Sequence, residues 1–422
     1  MAPSVGLDDD EIRDERALCT GSVVTVSSVN EVIDELHPWR WSSYATLADV
    51  LPAIDDSLNG QLSAAVPVPG SKDVVLLLID GLGDSLLTAH ADVAPTLTSL
   101  RSTTIRAGFP ATTASSITSL MSGASCGSHG VIGYSFRTDR AATRAPNRQL
   151  LNALRWTLDR SDGRSALGTY VPEQIQPIEG LLPEMAARGV EVTYVMPGLY
   201  RGSGFSRAAF RVEGTYRPAQ NPAEILAGVG EALAPQSPRH RFVYAYWPDL
   251  DAAGHLFGPG SPQWVKALAV ADRMVADLAA ALGRDATLVV TGDHGMIQAD
   301  NRFDIDTTDE MLKGVEAVAG EMRVRQVYTR PGARDDVQSF WTDALGDDAH
   351  VVAREQVLDE EWFGVEVTDA VAERIGDLVA VARGTTILTR SLTDPELEVN
   401  MVGHHGAWTA AEQLVPVLLA QG

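Results

Sequence analysis

The segment KDVVLLLIDGLG constrains this chain more than any other. Val74–Ile79 is an unbroken run of aliphatic β-formers, the composition of a strand buried on both faces, and it stops at Asp80 and Gly81. The design recurs twice. RFVYAYWPDLDAAGH runs from a strand into Asp251 and His255, and ATLVVTGDHGM from a strand into Gly292, Asp293, His294 and Gly295. Helical patterns over Pro222–Leu233 and Gln263–Leu282 alternate with these strands. Strands alternating with helices predict an α/β fold, a mostly parallel central sheet with helices on both faces. In such sheets the ligand crevice lies beyond the carboxyl ends of the strands. The acidic and histidine motifs of all three segments fall at such ends.

Residues 300–385 have a different texture. Arg323–Thr329 and His350–Arg354 read as strands, Arg334–Leu345 as a helix, and RIGDLVAVA as a further strand. This stretch sits between GDHG and the last histidine motif, so it reads as a smaller α+β cap inserted into the main domain. The organisation expected is a lead-in over 1–70, a catalytic domain over 71–299 and 386–422, and the cap over 300–385. In the lead-in, Val23–Val26 reads as an edge strand and Tyr44–Leu58 as helical.

Charge narrows the function. Lys and Arg total 33 against 56 Asp and Glu in 422 residues, a net charge of −23. That argues against binding a nucleic-acid duplex, which needs a basic face. A phosphorylated small molecule stays compatible, because bound cations invert a local field. The two cysteines, Cys19 and Cys126, form no disulfide framework. The acidic N-terminus has no apolar signal region, and no apolar run is long enough to span a bilayer. The expectation is a cytoplasmic protein without a membrane partner, its oligomeric state left open.

Four of the nine histidines, His255, His294, His404 and His405, lie in motifs rich in Gly or Asp. Carboxylate with imidazole is the ligand mix of zinc and similar ions. Asp251 and His255 are spaced i, i+4 and share one face of a helical turn. Asp293 and His294 are sequence neighbours and can share an ion only on irregular backbone, which Gly292 and Gly295 permit. Singly, each motif has an ordinary explanation: a solvated turn for GDHG, a helix N-cap for Asp80, a surface pair for His404 and His405. Jointly they point to a metal centre. In AGFPATTASSITSLMSG, Thr112 or Thr113 opens a short helix, where free N–H groups face an anion. Either is equally an ordinary N-cap, and His129, in SHG, reads as structural.

The ordered set LLLIDGLG, FPATTASSITSLMSG, WPDLDAAGHLFGP, VVTGDHGM and GHHGAW resembles the alkaline phosphatase superfamily, in particular its nucleotide pyrophosphatase/phosphodiesterase branch. The resemblance implies an alkaline phosphatase-like fold and a hydrolase of phosphoric esters using two divalent metal ions, zinc in that branch. By it, Thr113 is the nucleophile, passing through a phospho-threonine, with Thr112 the weaker neighbour. Asp80, Thr113, Asp293 and His294 would hold one ion. Asp251, His255 and His405 would hold the other, with Asp249 and His404 as weaker alternatives. MPGLYRGSG, from Met196, is similar to a Pro-Gly motif near the substrate pocket.

The departures concern the substrate. Ser116 stands where the branch has an Asn on a phosphate oxygen, and Ala114 where it often has an aromatic residue that stacks a nucleobase. No Arg aligns as a phosphate clamp. Cys126 is followed by Gly-Ser-His and does not fit a sulfatase. The rival readings are a phosphomonoesterase or a carbon–phosphorus hydrolase similar to phosphonoacetate hydrolase on the same site. A manganese phosphomutase and a non-catalytic binding protein are more distant rivals.

Overall fold

The computed structural model describes residues 43–138, 150–158, 164–234 and 237–422. The expected Val23–Val26 strand and Cys19 lie outside these residues. Eleven strands carry the two main sheets. In chain order they are β1 Asp73–Ile79, β2 Arg101–Arg106, β3 Glu191–Met196, β4 Thr215–Pro218, β5 Arg241–Trp247, β6 Ala286–Thr291, β7 Val315–Glu321, β8 Val324–Thr329, β9 Ala349–Ala353, β10 Leu378–Ala382 and β11 Leu414–Gln421. The helices that matter here are α1 Val50–Leu58, α2 Thr113–Ser122, α3 Pro222–Leu233, α4 Asp249–Phe257, α5 Pro262–Ala281 and α6 Arg334–Leu345.

The central sheet has seven strands in the order β2-β11-β6-β1-β5-β3-β4. β1 runs parallel to both of its neighbours, β5 and β6. Only β11 runs against the rest, pairing antiparallel with β6 and β2. The β1 run is buried throughout. Its alternate residues feed two cores: Val74, Leu76 and Leu78 pack with α1 and α2 on one face, and Val75, Leu77 and Ile79 pack with α3, α4 and α5 on the other. This two-sided burial is why β1 lacks a polar/apolar alternation.

The topology sets the functional end. Leu78 lies opposite Tyr246 of β5 and Thr291 of β6, so three adjacent parallel strands finish side by side. Asp80, Asp249, Asp251 and Asp293 follow directly. Because β11 is antiparallel, its amino end lies at the same edge, and His405 arrives just upstream of it.

A second sheet, β7-β8-β10-β9, is wholly antiparallel. Trp341 and Leu345 of α6 cover one face with Leu378 and Ala380. Val324, Val379 and Val381 turn the other way into the main core, with Phe109, Trp362 and Phe363. There Phe109 stacks on Trp408 at 4.5 Å and meets Trp362 edge-on at 5.2 Å. Arg323, at the β7–β8 turn, is fully buried and forms a bidentate pair with buried Glu412, at 2.9 and 2.8 Å. β7 itself is absent from the sequence expectation. Its run VEAVAGE alternates poorly and carries Ala and Gly, weak β-formers, so its strand character comes from pairing with β8.

Candidate metal centre and active site

Asp80, Asp293 and His294 each offer one ligand atom within 4.8 Å of one another, and so do Asp251, His294 and His405. His294 belongs to both groups, so the two are contiguous. His294 Nε2 is 3.3 Å from Asp293 Oδ2 and 3.7 Å from Asp80 Oδ1. His255 joins through Asp251, Nε2 to Oδ2 3.3 Å, and its ring centroid is 5.1 Å from that of His405. The fifth motif supplies Thr113, whose Oγ1 is 3.1 Å from His294 Nε2. Side chains from all five motifs therefore meet in one place.

The three imidazoles share one arrangement. Nδ1 of His294 faces the Gly295 carbonyl at 3.0 Å, Nδ1 of His255 that of Gly403 at 2.7 Å, and Nδ1 of His405 that of Ala111 at 2.8 Å. A carbonyl only accepts, so each Nδ1 carries a proton and each Nε2 is turned into the cluster, where that of His255 meets Asp251 Oδ2 at 3.3 Å and the carboxylate raises the pKa of the ring. Backbone carbonyls that fix the tautomer in this way are the usual second shell of a metal-binding histidine. The Thr113 hydroxyl consequently donates to His294 Nε2.

Among the candidates weighed above, the structure separates neighbours. His404 Nε2 turns to the Met401 carbonyl at 3.1 Å, and burial, with His255 nearby, pushes its pKa down to about 3. Thr112 is the N-cap of α2 and makes no side-chain cap bond. Asp249 opens α4 outside both groups. Ser116, one turn after Thr113, is buried with an unpartnered hydroxyl. His129 accepts from Val131 N–H on Nδ1 and therefore donates from Nε2 to Ser119, which makes it a satisfied core histidine.

The electrostatics are those of a cation site. Burial, and then Asp293 and Asp251, push Asp80 well above the carboxylate range. Burial alone would also raise Asp251, but His255, with His405 and His294 behind it, holds it below its ordinary value. Burial, followed by His294 and His255, keeps the pKa of His405 well below its ordinary value. Asp80 Oδ1, Asp251 Oδ1 and Asp293 Oδ2 are buried without a hydrogen-bond partner. Three orphaned carboxylate oxygens beside imidazole nitrogens are a donor set that fits divalent cations.

The flanking glycines act otherwise than expected. Neither Gly292 nor Gly295 has positive φ. They are required by close approach: a Cβ on Gly295 would lie 1.9 Å from the Ala411 carbonyl oxygen, and one on Gly292 would lie 2.3 Å from that of Leu82. Two groups escaped sequence reasoning. Gly81 N–H donates to Asp293 Oδ1 at 3.0 Å, and the Tyr246 hydroxyl donates to Asp80 Oδ2. A tyrosine at the carboxyl end of the strand beside Asp80 was the available signal for the second.

The central sheet, with the site at its carboxyl edge, is that of an alkaline phosphatase-like fold. The profile of the type I phosphodiesterase/nucleotide pyrophosphatase family matches residues 74–408, and the chain belongs to that family. Human ectonucleotide pyrophosphatase/phosphodiesterase family member 5 is 27% identical over 183 residues, 42% of this chain and 36% of the relative, so the match spans little more than a third of that protein. The murine protein of the same name superposes with a TM-score of 0.61 over 82% of this chain and 87% of its own, at 17% identity. Phosphonoacetate hydrolase from Sinorhizobium meliloti in complex with phosphonoformate gives 0.60 over 84% and 92%, also at 17% identity. A threonine-to-alanine variant of the murine protein, described as inactive, has been solved with AMP.

Proposed function

We propose that this chain is a metal-dependent hydrolase of phosphoric diesters or phosphoanhydrides, with Thr113 as nucleophile and two divalent cations, zinc by its donor set. The observation that carries this is the meeting of Thr113 Oγ1 with His294 Nε2 inside a ring of orphaned carboxylate oxygens. Asp80, Asp293, His294 and Thr113 would hold one cation, and Asp251, His255 and His405 the other. Bound there, the cations would supply Lewis acidity and a water whose pKa falls to about 7.

The chain's own residues do the rest. Thr113 is the first residue of α2, with an N-cap that leaves the first-turn N–H groups free. A phosphoryl group placed before this terminus meets those donors and the positive end of the helix dipole. The unpartnered Ser116 hydroxyl is offered to a non-bridging oxygen. Attack by Thr113 Oγ1 forms a P–O bond to threonine as the bond to the leaving group breaks. Attack by water on the phospho-threonine then regenerates the hydroxyl. Two in-line displacements retain configuration at phosphorus. Family membership and the AMP complex of the inactive murine variant support a nucleotide-like diester or anhydride.

Thr113→Ala tests the assignment. Its kcat on an aryl phosphodiester should fall by at least about 10³-fold, while its metal content stays at the wild-type level. Wild-type turnover by that variant overturns it. Comparing an aryl diester, an aryl monoester, a nucleotide and phosphonoacetate on the wild type fixes the substrate class. Preferential release of phosphate from phosphonoacetate would favour carbon–phosphorus cleavage, as in the S. meliloti relative's name.

A further inference from the structure

From the hydrogen bond between Tyr246 and Asp80, we infer that Tyr246 is a positioning residue for the metal centre: its phenol holds one oxygen of Asp80 so that the other is presented to the cation. The inference rests on the metal-dependent chemistry proposed for the site.

Tyr246 is the penultimate residue of β5, and its register partner in β1 is Leu78. Both side chains lie on the sheet face that carries α2 and Thr113. The phenol therefore rises beside the chain as β1 ends, directly under Asp80. Its hydroxyl donates to Asp80 Oδ2, which is thereby engaged, while Oδ1 stays unpartnered and points toward His294 Nε2 at 3.7 Å. The two oxygens of one carboxylate thus have different assignments, and a phenol sets which is which.

The neighbouring phenols behave otherwise. Tyr194 donates to the Val212 carbonyl at 3.0 Å and Tyr216 to that of Pro197 at 2.6 Å, both ordinary backbone satisfaction. Tyr246 sends its proton to a site carboxylate instead. Tyr200, half-buried, meets its ring edge-on at 5.9 Å and 75°, which limits the tilt of the phenol.

The consequence is physical. A buried carboxylate crowded by Asp293 and Asp251 has every reason to rotate away from them. A donor on Oδ2 removes that freedom and leaves a single, pre-aimed ligand atom. Outer groups that orient metal ligands in this way are worth 10–100-fold in metal affinity.

Tyr246→Phe removes the hydroxyl and keeps the ring, so packing on Tyr200 survives. Tyr194→Phe removes an equally buried phenol remote from the carboxylates and serves as the control. Each protein, with the wild type, is stripped with chelator and titrated with zinc against a chromophoric competitor. The expected result is a 10–100-fold weaker association at one cation site in Tyr246→Phe, with the second site and the Tyr194→Phe variant unchanged. The activity lost by Tyr246→Phe at limiting zinc should return as zinc is raised, which a defect of folding would not do. Matching melting temperatures of the stripped variants complete the comparison. Wild-type affinity at both sites in Tyr246→Phe overturns the role of Tyr246 alone. Failure of the wild type to bind zinc overturns the metal chemistry beneath it.

Discussion

At the scale of single residues, His404 and His405 show how much a side chain's second nitrogen decides. They are adjacent, His404 buried and His405 half-buried, yet only His405 anchors Nδ1 on a carbonyl of the loop before Thr113, at Ala111. His404 turns Nε2, the atom it would need, to the Met401 carbonyl. Dialysed against low free zinc, His405→Ala should lose one of the two cations and most of its activity, whereas His404→Ala should keep both cations. Metal analysis by mass spectrometry separates the two outcomes, and an equal loss in both variants would reverse the assignment. The sequence alone does not make this choice, because both residues sit in one GHHG string. What selects His405 is a carbonyl that reaches it from nearly three hundred residues away. The acids were more legible, since each directly ends a recognisable strand or opens the next helix. Tyr246 was invisible for the opposite reason: it fits the core pattern of β5 perfectly well without any second role.

At the scale of elements, helices with capped, periodic sequence came through closely. Pro222–Leu233 has the expected bounds, with Asn221 as its N-cap, and the expected Gln263–Leu282 is displaced by a residue to Pro262–Ala281. Periodicity and caps are local, so a sequence reports them. Approach between loops is not local, and the GDHG glycines illustrate it. Their type suggested backbone freedom, but Gly295 instead lets the loop lie against Ala411 and Gly83, with Gly295 N–H bonded to the Glu412 carbonyl at 2.8 Å. Gly295→Ala must push the loop off this support and carry Asp293 and His294 with it. It should cost about 2 kcal/mol or more, the range of overpacked positions, together with loss of metal. Gly230→Ala, in α3 with open space around its Cβ, should be neutral or stabilising by about 0.5–1 kcal/mol. Urea denaturation of both variants measures the contrast, and equal effects would show that the close approach has no energetic weight.

At the scale of the molecule, the edge where the three acids gather is a place where the fold buries carboxyl groups without a Lys or Arg beside them. Asp80, Asp251 and Asp293 are brought there by three neighbouring strands, and among the described residues none is paired with Lys or Arg. Two other buried acids do have such partners, Glu412 in Arg323 and Asp73 in Arg241. On the proposed function, bound cations would neutralise these acids. Folding and cation binding would then be linked: a ligand that binds only the folded state stabilises it by RT ln(1 + [L]/Kd), about 4 kcal/mol when free zinc exceeds Kd by a thousandfold. Chelation should therefore lower the melting temperature, and stepwise zinc should restore it logarithmically. In Asp80→Asn, a carboxyl group whose ionisation is opposed by burial and by Asp293 and Asp251 becomes a neutral amide, and a proposed cation ligand is weakened, so the stripped protein should be no less stable than the stripped wild type and should gain less from zinc. A melting temperature indifferent to chelator in the wild type would mean that the buried acids are balanced within the chain after all, and would remove the physical ground for placing cations among them.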